Sequence, residues 1–374
     1  APDWAALRNA FPLLNNFAYL DLGRKAPLPI YAKEAADAWF RDTFDTGGEA
    51  AFSMSSTEET RAAVANTFGA PLEQIALIKN TSEGINIIGA GFPWVAGDNV
   101  VITEHEHENN TFPWRHLANR GVEIRFAEAD DDGCVRLAGY ERAVNDRTRI
   151  LAVAWVAYGN GYRADITALS TFCKSRGIKL VVDAIQAVGI LSDRVDSLGA
   201  DVVVAGGHKA QFSLTGAGFM YLTPEMIDLI RPPYAAKFSF TSTDRHQAAP
   251  KLQSNARRFE YGNPNFMGLA VQRRSAEFVA GIELKNIEAR VRELTTYLID
   301  QAQARQIKIL TPSRWEERAG IVAIAVDGDA DEIEASLKAQ GVRIAAKDGH
   351  LRAGINFYNN HDDIDRLVAG LVAA

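Results

Sequence analysis

Cysteine is scarce in this sequence: its 374 residues include only Cys134 and Cys173. Two cysteines cannot build a disulfide framework, so a buried apolar core has to stabilise the fold. No apolar run approaches the ~18 to 20 residues that a membrane-spanning helix requires, and the first residues do not follow a signal-peptide pattern. The sequence therefore predicts no membrane partner, and the expected location is cytoplasmic.

Positive charge is the second deficit, because 40 lysines and arginines face 47 aspartates and glutamates, for a net charge of −7. A chain of this charge is a poor partner for nucleic acid or for an anionic membrane surface. Hydrophobic residues make up 47% of the chain, and its length is sufficient for two domains with a core each. This composition is typical of a globular enzyme.

Short apolar and β-branched runs alternate with helical patterns from about residue 60 to residue 222. Several of the runs are apolar throughout, which is expected for strands covered on both faces. The intervening helical patterns include "DITALSTFCKSRG", which begins with an aspartate and ends with a glycine. The alternation predicts an α/β domain with a mostly parallel, doubly wound sheet, whose strands are Ile75–Ile78, Asn99–Ile102, Val122–Phe126, Ile150–Trp155, Lys179–Val182, Asp201–Val204 and Phe219–Leu222.

The pattern changes beyond residue 250. The segments "GIVAIAV", "DADEIEASLKAQG", "VRIAA", "LRAGINFY" and "NHDDIDRLVAGLVAA" predict strand, helix, strand, strand and helix. We interpret them as part of a small α+β domain formed by residues 256–374 together with residues 1–14, and we assign residues 15–255 to the large domain. The polar stretch from Lys237 to Arg257 is predicted to be a loop and linker.

Ligands of open α/β sheets bind at the carboxyl ends of the strands. Thr81 and Ser82 follow the first predicted strand and open a helix, where backbone N–H groups and two hydroxyls would form an anion site. The alternative is that one of the hydroxyls only caps the helix. The residues alone leave both interpretations open.

Asp183 and Lys209 follow two neighbouring buried strands of this predicted sheet. A charge so close to a core is costly unless it is paired or used in chemistry. Either the two residues form a structural ion pair, or they belong to an active site.

The run "EHEHENN", residues 104–110, contains two histidines and three glutamates. If the preceding strand continued into it, His105 and His107 would lie on one face and could act as metal ligands. A metal site also needs a third ligand and requires Glu106 to point inward. The run by itself does not decide between a metal site and another chemistry.

The motifs "NTSEGIN", "EHENNTFPW", "VVDAIQAVG", "GGHKAQFSLTGAGFMYL", "RRFEYGNPNF" and "LRAGINFYNNHDDIDRLV" resemble those of class V aminotransferase-fold enzymes. Cysteine desulfurases, selenocysteine lyases, kynureninase and isopenicillin N epimerase belong to this family, and the resemblance covers almost the whole chain. It implies fold type I with a mostly parallel seven-stranded sheet, pyridoxal 5′-phosphate as the cofactor and an amino-acid substrate. It also implies a homodimer with the active site at the interface.

The resemblance implies three catalytic residues. Lys209 would hold the cofactor covalently, Asp183 would pair with its pyridinium nitrogen, and His107 would stack on its ring and move protons. The histidine run would then be a stacking platform instead of a metal site, and His105 would be structural or solvated.

Further contacts are implied by the same resemblance. Gln186 would approach the phenolic oxygen of the cofactor, where Tyr158 replaces an asparagine of the desulfurases. Arg352 would clamp the α-carboxylate of the substrate, a task that suits a planar bidentate donor. The phosphate would be held by Thr81, Ser82, His208 and, from the neighbouring subunit, Asn263.

The sequence departs from the desulfurases near Arg352. Those enzymes carry a nucleophilic cysteine on a loop shortly before the corresponding arginine, whereas "VRIAAKDGHLRAG" is short and has no cysteine. Cys173 lies in a helical pattern and is expected to be buried and inert, and Cys134 is expected in a surface turn. Together with Tyr158, the short region places the chain closer to the isopenicillin N epimerase-like and lyase branch.

A second departure follows the strand-like "FAYLD". Relatives have small residues there that line the substrate pocket, whereas "DLGRKAPLP" contains Arg24 and Lys25. One interpretation is that both are solvated surface cations. The other interpretation is that one of them binds an anionic side-chain group of the substrate, such as a carboxylate or sulfonate.

The predicted function is that of a pyridoxal-phosphate enzyme acting on an amino acid through a Cα carbanion. C–S or β-lyase chemistry without a catalytic cysteine is the main hypothesis. Class V aminotransferase and epimerase activities are alternatives, and a non-catalytic, cofactor-binding regulator is a remote one. Lys209 would serve as the base at Cα, for which its pKa has to be lowered by burial and cationic neighbours.

Overall fold

The computed structural model describes residues 2–242 and 244–373. Its α-helices are α1 Trp4–Arg8, α2 Ile30–Thr46, α3 Met54–Phe68, α4 Thr81–Gly91, α5 Phe112–Arg115, α6 Leu137–Ala143, α7 Ile166–Ser175, α8 Pro224–Leu229, α9 Phe266–Ile282, α10 Leu284–Gln303, α11 Ala330–Ala339 and α12 His361–Ala373. Its strands are β1 Ala18–Tyr19, β2 Ile75–Ile78, β3 Asn99–Thr103, β4 Glu123–Ala127, β5 Thr148–Ala154, β6 Lys179–Asp183, β7 Val202–Gly206, β8 Gly218–Leu222, β9 Ile321–Ile324, β10 Val342–Arg343, β11 Ala345–Lys347 and β12 His350–Gly354.

A seven-stranded sheet with the order β2-β8-β7-β6-β5-β3-β4 is formed by strands between residues 75 and 222. Only β8 runs antiparallel to its neighbours β2 and β7, and the remaining pairs are parallel. The predicted α/β fold with a mostly parallel seven-stranded sheet is confirmed. The strand ends differ from the predicted ones by up to two residues, because hydrogen bonding continues into small residues such as Ala205 and Gly206.

The central strands are buried on both faces, as their continuous apolar sequences predicted. In β5, Leu151 and Val153 pack into one apolar cluster, and Ile150 and Ala152 pack into another. This alternation follows from the two-residue period of a strand. Helices cover both faces, so a ligand can reach the sheet only at its edges and strand ends.

A second, three-stranded antiparallel sheet with the order β11-β12-β9 lies in the C-terminal region, next to α10, α11 and α12. The predicted strand "VRIAA" is divided into β10 and β11, and "LRAGINFY" is extended only as far as Gly354. Strand β1 from the N-terminal region pairs in parallel with β10. This pairing brings the segment after β1 close to β12, since Leu22 N–H donates to Gly354 O at 3.4 Å.

The pattern analysis did not predict α9 and α10. Helix α9 packs against α2 and α3, where Thr60 and Thr67 of α3 donate to the carbonyls of Leu269 and Ala276 at 3.1 Å each. The division of the chain at residue 255 therefore stays a prediction. Between residues 237 and 257, apart from residue 243, the structure has only short 3-10 turns and isolated bridges, as expected of a loop. None of the described helices combines the length and the hydropathy that crossing a bilayer requires.

Candidate active site

A cavity of about 260 Å³ lies at the carboxyl ends of β5, β6 and β7, beside the start of α4. Ser82, Lys25 and Asn263 are not among its lining residues, so the structure does not bring them together with the rest. The other predicted site residues line this cavity: Arg24, Thr81, His107, Tyr158, Asp183, Gln186, His208, Lys209 and Arg352. Their functional roles are taken up below as proposals.

Asp183 is the last residue of β6, and its carboxylate is buried. Its Oδ1 accepts a hydrogen bond from the N–H of Ile185 at 3.0 Å. Burial raises the pKa of Asp183 to about 6, because the charged form is poorly solvated, while the hydrogen bond from Ile185 and the charge of Lys209 oppose the shift. The carboxylate is thus ionised at neutral pH and suited to a cationic partner.

Lys209 follows β7 in a turn whose backbone is fixed. Phe212 N–H donates to Lys209 O at 2.8 Å, and Phe212 adopts a left-handed φ of 55°, an arrangement that is rare for a bulky residue. The pKa of Lys209 is lowered to about 8, mainly by burial and also by the nearby Arg352, while Asp183 opposes the shift. This agrees with the lowered pKa that the sequence predicted for a nucleophilic lysine.

The structural ion-pair interpretation of Asp183 and Lys209 is not supported. Lys209 is buried, with only 8% of the residue exposed. Its amine nevertheless forms neither an ion pair nor a hydrogen bond with the described residues. A buried amine without a partner is costly unless a ligand engages it.

The anion site at the start of α4 is clarified by the helix cap. Asn80 is the N-cap, and its Oδ1 accepts from Glu83 N–H at 2.9 Å. The hydroxyls of Thr81 and Ser82 are therefore not needed for capping. Thr81 is buried with its Oγ1 accepting from Gly206 N–H at 3.1 Å, whereas Ser82 is half-buried and outside the cavity lining.

The condition under which His105 and His107 would share one face is not met, because β3 ends at Thr103 and a turn follows. His105 is exposed, as predicted for a solvated residue, and Glu106 is buried. Glu106 accepts hydrogen bonds from Ala154 N–H at 2.9 Å and from the Asn110 amide at 2.8 Å. The described residues contain no group of three His, Cys, Asp or Glu side chains arranged to hold a metal ion.

His107 belongs to the cavity wall. Its Nδ1 accepts from Asn109 N–H at 3.1 Å, so Nε2 carries the proton of the neutral ring. The ring packs edge to face on Tyr158, with centroids 5.0 Å apart. Burial lowers the pKa of His107, and Glu108 partly offsets this shift. The lowered pKa keeps the imidazole neutral near pH 7.

Arg352, on β12, is buried and only partly satisfied. Its Nη1 donates to Tyr158 O at 3.0 Å, but its Nε has no hydrogen-bond partner among the described residues. The nearest carboxylate, Asp21, is 3.9 Å from Nη2. A Cβ at Gly23 would lie only 2.8 Å from Cζ of Arg352, so the glycine leaves room for the guanidinium. A carboxylate ligand would satisfy the free donor.

Gln186 and Asn263 differ in how far the structure places them at the cavity. Gln186 is buried and lines it, while its amide donates to Gly23 O at 3.0 Å. Asn263 is exposed and lines a separate groove that also contains Lys79, Glu83 and Tyr261. Its predicted contact with a neighbouring subunit stays a prediction.

The two cysteines are remote from the cavity lining. Cys134 and Cys173 are both fully buried, and burial raises the pKa of each thiol to about 12. The expected burial of Cys173 is confirmed. The expectation that Cys134 lies in a surface turn is wrong, because its side chain packs into the core immediately after the exposed Asp131–Asp132 turn.

Lys347 is a cavity residue that the sequence analysis did not identify. It ends β11 and lines the cavity beside Tyr158, with its Nζ 5.2 Å from the centroid of that ring. The available signal was its place before an Asp-Gly pair, which is typical of a tight hairpin turn.

Comparison with known proteins places this geometry in a family. Residues 31–367 match the family model of Aminotransferase class-V. The cysteine desulfurase of Cronobacter sakazakii is 30% identical over 404 residues, covering 98% of this chain and 97% of the relative. The solved cysteine desulfurase of Thermococcus onnurineus NA1 has a TM-score of 0.88 and 26% identity, covering 98% of this chain and 96% of that one.

A more distant structure shares the fold alone. The cystine C–S lyase C-DES, one variant of which was solved with glycine covalently linked to its PLP cofactor, has a TM-score of 0.89 at 21% identity. The alignment covers 99% of both chains. The protein described here therefore belongs to the class V aminotransferase family and is an enzyme of that family, as the motifs predicted.

Proposed function

We propose that this enzyme uses pyridoxal 5′-phosphate to activate an amino acid at Cα, and that its main reaction is C–S or β-elimination without a catalytic cysteine. Similarity to cysteine desulfurases over almost the whole chain supports the cofactor and the substrate class. The choice of elimination is supported by the short hairpin before Arg352, which leaves no loop for a catalytic cysteine.

The cavity fits this cofactor. Lys209 has an unpartnered amine of lowered pKa that would hold it covalently, and buried Asp183 would pair with its ring nitrogen. The start of α4 with Thr81, and His208 nearby, would take the phosphate. His107 would stack on the ring. When bound, the cofactor supplies an electron sink for the charge that develops at the substrate Cα.

The residues of the chain then divide the chemistry among themselves. Arg352 binds the α-carboxylate of the substrate through its free Nε and an Nη, and so orients the Cα–H bond. Lys209 would accept the Cα proton at Nζ, a step that general bases accelerate by ~10²- to 10⁴-fold. Asp183, in its ionised form, would keep the ring nitrogen of the cofactor protonated. The rings of His107 and Tyr158 limit the access of water.

The single observation that carries the proposal is the hairpin before Arg352. Strands β11 and β12 are joined by only Asp348 and Gly349, both left-handed, with φ values of 49° and 79°. Such a two-residue turn has no loop that could carry a nucleophilic cysteine into the cavity. Since Cys134 and Cys173 are buried elsewhere, sulfur would leave the substrate directly, without transfer to an enzyme thiol.

Transamination is the second candidate function. The family model is that of the class V aminotransferases, and the reaction requires no residue beyond those already in the cavity. Epimerisation would need a second acid–base group on the opposite face of the substrate.

A screen of amino acids on the holoenzyme tests the proposal, with pyruvate, ammonia, sulfide or thiol, and keto acid measured together. We expect pyruvate, ammonia and a thiol or sulfide from cysteine derivatives, and unchanged turnover in the Cys134→Ala/Cys173→Ala variant. Loss of turnover in a variant whose circular dichroism is unchanged would contradict cysteine independence. Amino transfer to an added keto acid would select the aminotransferase, and solvent deuterium in an inverted product would select the epimerase.

We also propose that the enzyme is a homodimer. The support is an exposed aromatic surface around α2, in which Phe40 and Phe44 stack at 6.1 Å and Trp39 contacts Phe52 at 5.3 Å between ring centroids. Phe44 is 80% exposed. Contiguous exposed apolar side chains of this kind are typical of subunit interfaces.

A further inference from the structure

The charges around the cavity are strongly unbalanced. Among its described lining residues, Asp183 is the only carboxylate. Burial lowers the pKa values of His107 and His208, so the cations of the lining are Arg24, Lys209, Lys347 and Arg352. Lys209 and Arg352 are buried, whereas the side chains of Arg24 and Lys347 are 56% and 32% exposed and can meet an anionic ligand that enters from solvent.

The proposed reaction accounts for only part of this charge. Lys209 would be engaged by the cofactor, and Arg352 by the substrate α-carboxylate. The phosphate is taken by the start of α4 and by His208, on other elements than Arg24 and Lys347. Arg24 and Lys347 remain without an assigned anion.

Arg24 is exposed, and its ion pairs with other described residues are long. Its guanidinium is 3.4 Å from Asp21 and 3.7 Å from Glu334, and it forms no side-chain hydrogen bond with another described residue. Asp21 is also shared, because it faces Arg352 at 3.9 Å, and its Oδ1 accepts no hydrogen bond from the described residues. One buried carboxylate thus stands between two guanidinium groups and neutralises neither completely.

Lys347 is presented on the same face as Arg352. In the β11–β12 hairpin, Ala345 is paired with Arg352 and Lys347 with His350. Directly paired residues point to the same side of a sheet, as do residues two apart, so both cations face the cavity. The nearest carboxylate to the Lys347 amine is that of exposed Asp348, at 3.6 Å.

We infer that Arg24 and Lys347 form a subsite for a second anionic group, carried by the side chain of the substrate. The inference rests on the proposed function and specifies its substrate as a cysteine derivative with an acidic group on the sulfur substituent. A carboxylate or sulfonate there would receive charge-assisted hydrogen bonds from both cations. From the sequence, either Arg24 or Lys25 was considered as the residue that binds such a group. The subsite inferred here keeps Arg24 and includes Lys347 in place of Lys25.

Binding is tested first, with ligands that cannot react. Isothermal titration calorimetry on the holoenzyme compares glutarate with its monoamide, which has the same shape and one charge fewer. We expect glutarate to bind about 10- to 100-fold more tightly, as charge-assisted hydrogen bonds imply. Arg24→Gln and Lys347→Met should each reduce this preference, and the double variant should abolish it. Arg142→Gln, which alters an exposed arginine outside the cavity, is the matched control and should retain it.

Turnover is tested separately, with S-carboxymethylcysteine and its amide S-carbamoylmethylcysteine. Elimination breaks the Cα–H and Cβ–S bonds, releases thioglycolate or its amide, and leaves 2-aminoacrylate, which water converts to pyruvate and ammonia. We expect a lower KM for the acid, and loss of that difference in the double variant.

The two measurements separate the two proposals. A glutarate preference that the double variant loses, without pyruvate from either substrate, supports the subsite and overturns the elimination reaction. Equal binding of glutarate and its monoamide by the wild type overturns the subsite, even if both cysteine derivatives yield pyruvate. A preference that persists in the double variant also overturns it.

Discussion

The lowered pKa of Lys209 is open to direct measurement in the cofactor-free protein. Burial shifts this pKa from its ordinary 10.5 to about 8. At pH 7, an amine with a pKa near 8 is about one-tenth neutral, whereas one with an ordinary pKa is neutral to only about 0.03%. The neutral amine is the nucleophile, so the structure predicts roughly a 300-fold larger reactive fraction at Lys209.

Competitive reductive methylation measures this fraction. Trace formaldehyde and cyanoborohydride label each lysine in proportion to its neutral form, and mass spectrometry quantifies the Lys209 peptide against that of exposed Lys308. The burial of Lys209 scales its rate at all pH values equally, so the midpoint of the pH profile is the informative quantity. We expect a midpoint near pH 8, against about 10.4 for ordinary lysine.

Two substitutions should move this midpoint in opposite directions. Arg352 lowers the pKa of Lys209 and Asp183 raises it. Arg352→Met should therefore shift the midpoint to higher pH, and Asp183→Asn should shift it to lower pH. A wild-type midpoint close to that of ordinary lysine, or shifts of the same sign in both variants, would refute the desolvation argument on which the assignment of Lys209 depends.

Two further predictions concern stability and assembly. Burial raises the pKa of Glu106 from its ordinary 4.5 to about 7, so the folded chain loses stability as the pH rises through this range. Glu106→Gln removes that dependence. In urea unfolding of the cofactor-free proteins, the free energy of unfolding of the wild type should fall by about 2 kcal/mol relative to the variant between pH 5 and pH 8. Parallel pH profiles of the two proteins would contradict this prediction. Phe44→Glu places a charge on the exposed aromatic surface and should give a monomer by light scattering. Val372→Glu, at another exposed apolar position, should leave the dimer intact. An unchanged mass for Phe44→Glu would contradict the proposed interface.

Most of the central sheet could be predicted because its signal is local. Continuous apolar runs mark strands buried on both faces, and β2 was predicted with its observed bounds. Helix α10 had a comparable signal, since Ile287, Val291, Leu294 and Leu298 recur at helical spacing and are buried.

The candidate site could be predicted where its residues directly follow strands of the central sheet. Asp183 ends β6 and Lys209 follows β7, so the topology rule that ligands bind at the carboxyl ends of strands was sufficient to bring them together. Cys134 shows the opposite case. The acidic turn before it indicated a surface position. Cys134 nevertheless lies only two residues beyond exposed Asp132, and its thiol is in the core.

The residues that reach the cavity from outside the central sheet depend on contacts that no local pattern contains. Arg24 is placed beside Arg352 because β1 pairs with β10 and the following segment bonds to Gly354, more than 300 positions away. Lys347 reaches the cavity only in the register that pairs it with His350, since a shift by one residue would turn its side chain to the opposite face. The residues to which we assign the reaction directly follow strands of the central sheet and could be predicted, whereas the joint placement of Arg24 and Lys347 at the cavity depends on long-range pairing and required the structure.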